Sequence, residues 1–98
     1  SSDFVEWNIN SSTTREVLLF FRYGNGGTGD RPLRLEVNGV VLNTKFSFPP
    51  TGSWTAWANR SDTVQLRSGS NTIRLTATGL SGPNLDYLYI RALTTTTT

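Results

Sequence analysis

The sequence contains neither cysteine nor histidine. Without cysteine, the chain can form neither a disulfide framework nor a thiolate metal site. Without histidine, it lacks the commonest general base and the commonest zinc ligand. No apolar run is long enough to span a membrane, so we expect no membrane partner. The 98 residues allow one domain with a modest core.

Charge is sparse, and it is not concentrated in a block of one sign. The formal net charge is +2, and every basic residue except Lys45 is arginine. The guanidinium group is a planar fork of donors that suits carboxylates and sugar hydroxyls. Because the arginines are scattered, we expect no nucleic-acid partner, and an acidic glycan fits them better.

The hydrophobic pattern predicts strands and no helix. Short alternating segments separated by turn clusters indicate an all-β sandwich of two antiparallel sheets. The predicted strands cover residues 4–9, 17–23, 33–37, 40–44, 63–66, 72–77 and 85–93. The second and the last of them are apolar on both faces and are expected to be central. Asn38-Gly39 predicts a type I′ hairpin turn.

The tryptophans receive different predictions. Trp54 follows a stretch with two prolines and a glycine, where an aromatic ring can stay exposed and pack against the C–H face of a pyranose. A core position is the alternative. Trp57, three residues later, would point to the other side of a strand, and we expect it in the core, as we do Trp7.

Asp86 is the one carboxylate among the apolar residues of the last predicted strand. A buried carboxylate there needs a cation, an arginine or backbone donors, although a local hydrogen bond would also satisfy it. No motif places a second carboxylate beside it, so a glycosidase pair is not predicted and we do not expect an enzyme. The glycine-rich residues 24–30 form a flexible loop that lacks the ending of a phosphate-binding motif.

Seven short segments together carry a family resemblance. They are FVEW at 4–7, FRYGNGG at 21–27, DRPL at 30–33, VNG at 37–39, GSWTAW at 52–57, GSNTIRL at 69–75 and GPNLDY at 82–87. In this order they resemble the non-catalytic carbohydrate-binding modules of families 35 and 6. The resemblance implies a β-jelly roll, a sugar site in the loops at one end, and a structural calcium ion.

The resemblance also implies roles for individual residues. Trp54 would stack on a sugar ring, Asn84 would hydrogen-bond that sugar, and Asp86 would ligate calcium. Asn84 is alternatively only a turn former.

Two arginines are further candidates because of their own position and chemistry. Arg22 and Arg31 flank the glycine-rich loop, and either could pair with a uronic-acid carboxylate. The alternative for each is a structural hydrogen bond to loop carbonyls.

Members of the family usually have a few tens of residues before the segment that matches FVEW, including the first strands and further calcium ligands. We therefore expect an uncovered strand edge, with self-association or completion by a partner segment. Residues 1–93 are expected to form the module. The threonines at 94–98 are expected to be a linker or a frayed tail.

The predicted function is that of a secreted, non-catalytic module that attaches a polysaccharide-active enzyme to its glycan. Xylan, galactan, mannan and uronic-acid polymers are all open, and the arginines favour acidic sugars. The alternative is a structural β-sandwich that pairs through its open edge and has lost sugar binding. A small glycosidase is a third hypothesis.

Overall fold

A computed structural model describes residues 3–78 and 82–93 of the chain. These residues form seven strands: β1 (Phe4–Ser11), β2 (Arg15–Gly24), β3 (Leu33–Val37), β4 (Val40–Phe46), β5 (Ala58–Leu66), β6 (Gly69–Ala77) and β7 (Asn84–Ala92). One antiparallel sheet has the order β1-β6-β3-β4 and the other β5-β2-β7. The predicted all-β sandwich is confirmed. The described part of the chain has no helix that could cross a membrane.

Alternation along the strands builds the core between the two sheets. β2 buries every second side chain from Val17 to Tyr23, and the inward residues of β3 and β6 pack against them. Phe48 lies beyond β4 and packs edge-on against Phe46, with ring centroids 5.2 Å apart. Trp7 contacts Phe21 at 5.6 Å on the margin of this core, so its predicted core position is confirmed.

The Asn38-Gly39 turn joins β3 to β4 as predicted. Asn38 has a φ of 53° and Gly39 a φ of 81°, the positive values that a type I′ turn requires. The Asn38 side chain also ties the hairpin to β6. Its Oδ1 accepts from the Thr72 backbone N–H at 2.9 Å, and its Nδ2 donates to Asn71 Oδ1 at 2.9 Å.

β5 begins five residues before the predicted start at Thr63. The added residues are mostly polar, so they show no apolar alternation from which a strand could be predicted. One of the inward positions among them is filled by Arg60, whose guanidinium carbon lies 4.8 Å from the ring centroid of Phe46. Its Nε donates to the Ser47 carbonyl at 2.6 Å. The arginine therefore fills space between the sheets where an apolar residue would have revealed the strand.

β7 is not the central, doubly covered strand that its apolar composition predicted. Among the described strands it pairs only with β2, and Tyr87 and Tyr89 are 48% and 53% exposed. Arg22 pairs with Tyr87 while Tyr23 pairs with Leu85, so a β-bulge leaves the intervening residue unpaired. Residues 79–81, predicted to begin the turn before this strand, and residues 94–98 lie outside the described residues.

Candidate functional site

The glycine-rich loop after β2 is organised by Asn25, which is completely buried. Its Nδ2 donates to the carbonyls of Gly29 at 3.0 Å and Phe48 at 2.9 Å, and its Oδ1 accepts from the Gly27 N–H at 3.0 Å. Its backbone N–H also donates to Thr51 Oγ1 at 3.0 Å. The loop that the sequence predicted to be flexible is therefore joined by several hydrogen bonds to the segment after β4.

Two further hydrogen bonds hold that segment, residues 47–57. Asp30 Oδ1 accepts from the Phe48 N–H at 2.7 Å, and the Tyr23 hydroxyl donates to the Pro49 carbonyl at 2.8 Å. Burial raises the pKa of the Tyr23 hydroxyl, the positive charge of Arg60 partly lowers it, and the Asp30 carboxylate raises it. These bonds fix the backbone that carries both loop tryptophans.

Trp54 belongs to the segment 47–57 and packs against the glycine-rich loop; its side chain is 42% exposed. A Cβ added to Gly26 would lie 2.5 Å from the indole Cδ1, and one added to Gly24 would lie 2.7 Å from the Trp54 carbonyl oxygen. Only glycine permits so close an approach. The Arg31 guanidinium carbon lies 4.9 Å from the indole ring centroid, which is within the range of a cation–π contact.

Asn84, the first residue of β7, completes this group. Its Nδ2 lies 3.5 Å from the Trp54 carbonyl, at the upper limit of a hydrogen bond. We call Gly26, Arg31, Trp54 and Asn84 the loop-end cluster. The structure thus brings three of the sequence-predicted ligand residues together, with Trp54 exposed as expected. Their contact with sugar stays a prediction.

Arg22 lies apart from the loop-end cluster, on the outward face of the sheet β5-β2-β7. Its Nη1 is 3.4 Å from Asp86 Oδ2. Its guanidinium carbon is 5.2 Å from the Trp57 ring centroid and 5.6 Å from that of Tyr87. Trp57 is 38% exposed, so its predicted core position is wrong. It precedes β5 and belongs to no strand, so the alternation rule does not govern its direction.

The burial predicted for Asp86 is also wrong, because its side chain is 37% exposed. As the extra residue of the β-bulge, it falls out of the alternation and reaches Arg22. Calcium takes about six to eight oxygen ligands. Within residues 3–78 and 82–93, no group of three or more side chains suited to a metal surrounds this carboxylate. These residues alone do not make a calcium site, and calcium stays a prediction.

Comparisons with known proteins agree on a saccharide-binding module. The family model "CBM13-like: Alpha-galactosidase, CBM13 domain" matches residues 8–90. A family 35 carbohydrate-binding module from Clostridium thermocellum superposes with a TM-score of 0.89 at 39% identity, over 94% of this chain and 72% of that one. Xyl-CBM35, solved with a disaccharide containing glucuronic acid, gives a TM-score of 0.81 at 36% identity, over 93% and 67%.

Among curated proteins, endo-1,4-beta-xylanase B of Cellvibrio japonicus (strain Ueda107) is 39% identical over 88 residues, which are 88% of this chain and 15% of the xylanase. Exo-beta-D-glucosaminidase of Amycolatopsis orientalis is 37% identical over 83 residues, 84% of this chain and 8% of that enzyme. The chain therefore spans a small part of the curated relatives that it matches.

The family model and the solved structures carry different family numbers. We follow the solved structures, because their superposition compares the whole two-sheet architecture as well as the sequence. At 39% identity over 94% of its length, the chain belongs to family 35 of the carbohydrate-binding modules and is a non-catalytic, saccharide-binding domain.

Proposed function

We propose that the loop-end cluster binds a uronic-acid residue of a polysaccharide. The observation that carries this proposal is the half-exposed Trp54 indole with the Arg31 guanidinium 4.9 Å from its ring centroid. A pyranose can pack its C–H face on the indole while its hydroxyls remain hydrated. The guanidinium, which lies over the indole ring, would then donate hydrogen bonds to the sugar carboxylate in a charge-assisted pair.

The relatives support this choice of sugar. Xyl-CBM35, at 36% identity, was solved with a disaccharide that contains glucuronic acid. The matched endo-1,4-beta-xylanase B and alpha-L-arabinofuranosidase C of the same organism are, by their names, enzymes that cleave glycans. We therefore propose that this chain is part of a secreted, polysaccharide-active enzyme. Attachment to the polymer would raise the local concentration of that enzyme at its substrate.

The test compares an acidic disaccharide that contains glucuronic acid with its neutral counterpart, using calorimetric titration. Trp54→Ala is expected to abolish binding of both, because it removes the stacking surface. Arg31→Gln should reduce binding of the acidic disaccharide to the level of the neutral one.

The matched control is Arg67→Gln, which removes the same charge from the turn between β5 and β6, at the opposite end of β5. It should leave both affinities unchanged. Equal binding of the two disaccharides by the wild-type chain would contradict the assignment of a uronic acid.

Self-association, or completion by a further segment, is a second proposal. Its support is an apolar groove of about 170 Å³ beside β1, lined by Phe4, Val5, Leu33, Leu75 and Pro83 among others. Phe4 and Val5 are exposed there, and an exposed apolar edge favours pairing with another chain. Light scattering over a wide range of concentration should detect a dimer; a monomer throughout would contradict self-association.

A further inference from the structure

The outward face of the sheet β5-β2-β7 carries an aromatic surface that the loop-end cluster does not use. The strand register aligns its side chains in rows across the sheet. The rows are Asn59, Arg22 and Tyr87; Ser61, Phe20 and Tyr89; and Thr63, Leu18 and Arg91. We call Trp57, Arg22, Tyr87, Phe20 and Tyr89 the sheet-face strip.

The rings of the strip form a connected surface. Phe20 and Tyr89 lie with ring centroids 5.7 Å apart at an interplanar angle of 42°. Arg22 bridges Trp57 and Tyr87 through its two cation–π contacts. Tyr87 and Tyr89 occupy alternate positions of one strand, so their Cα atoms are about 7 Å apart. The strip therefore continues over several side chains along β7.

Polar groups line the same surface. A shallow groove of about 320 Å³ is bordered by Phe20, Asn59, Tyr87, Tyr89 and Arg91. An apolar protein surface laid over it would bury the Asn59 amide and the Arg91 guanidinium without matching partners. A sugar chain meets both requirements, because each pyranose presents C–H groups to a ring and hydroxyls to the polar side chains.

We propose that the sheet-face strip is a second saccharide-binding surface and that it takes an extended stretch of polysaccharide. Successive exposed rings along one strand suit consecutive sugars of a chain better than a single terminal sugar. The strip begins next to the loop-end cluster, because β7 starts at Asn84 and reaches Tyr87 three residues later. Two surfaces on one module would increase avidity for a polymer beyond that of either surface alone.

The test uses the full chain and separates the two surfaces by ligand size. The probes are the disaccharide containing glucuronic acid, and soluble glucuronoxylan, arabinoxylan and galactomannan. The double variant Tyr87→Ala/Tyr89→Ala should bind the disaccharide like the wild-type chain. It should bind at least one of the polymers about tenfold more weakly, because two stacking rings are removed.

Val41→Ala is the control, since it removes an exposed apolar side chain from β4 of the other sheet, outside every surface proposed above, and should leave polymer binding unchanged. Wild-type affinity of the double variant for every polymer would overturn the proposal. A wild-type dimer that the double variant converts to a monomer, with polymer binding intact, would also overturn it and make a second copy the occupant.

The proposal of a second surface does not depend on the uronic-acid assignment. Binding of the disaccharide tests the loop-end cluster alone, whereas binding of polymer by the variants tests the sheet-face strip. A second measurement covers the case in which the double variant does not fold. In the Trp54→Ala variant, polymer should still shift the backbone amide resonances of Tyr87 to Arg91. Unchanged resonances there would overturn the proposal.

Discussion

The loop-end cluster and the sheet-face strip both place an arginine beside a tryptophan, but the chain builds them in different ways. Trp54 and Arg31 come from loops, and their positions depend on hydrogen bonds of the buried Asn25 and on a backbone without Cβ atoms at Gly24 and Gly26. The tyrosines of the strip, with Phe20 and Arg22, occupy outward positions of paired strands, where register alone sets their spacing.

This difference predicts how each surface responds to substitution. A change beneath the loop-end cluster should disturb it as a unit, because one buried side chain holds two loops together. A change in the strip should remove one contact and leave its neighbours in place, because the backbone ladder of β2 and β7 is independent of the side chains. Four predictions test this contrast, from the largest expected effect to the smallest.

Asn25→Ala should have the largest effect. It leaves the buried carbonyl of Phe48 and the carbonyl of Gly29 without this donor, and we expect a loss of about 2–4 kcal/mol in the free energy of unfolding. Disaccharide binding should weaken while the resonances of the strip stay near their native positions. Urea denaturation measures the change in the free energy of unfolding.

Asn8→Ala, on the exposed face of β1, is the control and should lower the free energy of unfolding by less than about 0.5 kcal/mol. An equal loss in both variants would contradict the role of Asn25.

Gly26→Ala should displace the Trp54 indole, because the new Cβ would lie 2.5 Å from Cδ1. We expect disaccharide affinity to fall about tenfold, which corresponds to about 1.4 kcal/mol. Binding of polymer through the strip should persist. Gly29→Ala is a close control, since an added Cβ there meets nothing within 4 Å. Unchanged affinity in Gly26→Ala would show that the indole position does not depend on this glycine.

Tyr23→Phe should cost about 1 kcal/mol at neutral pH through the lost hydrogen bond to Pro49. The folded-state pKa of Tyr23 is raised above the value of about 10 for a free tyrosine. Its stabilising contribution is therefore complete below about pH 10 and is lost as the pH rises through the folded-state pKa. The wild-type chain should lose stability in this alkaline range more steeply than the variant. Parallel profiles of unfolding free energy against pH would contradict this.

Asp86→Asn should have the smallest effect, because its ion pair with Arg22 is more than one-third exposed on both sides. We expect a loss of less than about 1 kcal/mol, reduced further by salt. A chelator should leave the Tm of the wild-type chain unchanged if Arg22 is the only partner of this carboxylate. A chelator-induced fall in Tm that Asp86→Asn abolishes would instead establish the calcium site implied by the family resemblance.

The sequence predicted most of the strands because alternation reports which side chains face the core. The bounds of β3 and the turn at Asn38-Gly39 are confirmed. The predicted β5 was too short because Arg60, a charged residue, occupies an inward position with its aliphatic stem and therefore interrupts the apolar alternation. β7 was placed centrally because large apolar side chains on both faces resemble a buried strand, whereas its two tyrosines lie outward and exposed.

The candidate site was predictable where the loop signals were strong. Trp54, Asn84 and Arg31 do lie together, but Arg22 and Trp57 face another surface. No local pattern reveals the β-bulge that turns Asp86 outward, because a bulge depends on pairing with a distant strand. Asn25 and Gly26 were missed, although the repeated glycines around them indicate a close backbone approach.

The most direct test of two separate surfaces uses the three indole N–H resonances of the chain. Trp54 reports on the loop-end cluster, Trp57 on the sheet-face strip, and Trp7 on the core margin as an internal control. With the disaccharide containing glucuronic acid, only the Trp54 signal should shift. With a polymer that the module binds, the Trp57 signal should shift as well. The Trp7 signal should stay in place with both ligands. A disaccharide that shifts Trp57 and leaves Trp54 unchanged would contradict the assignment of the two surfaces.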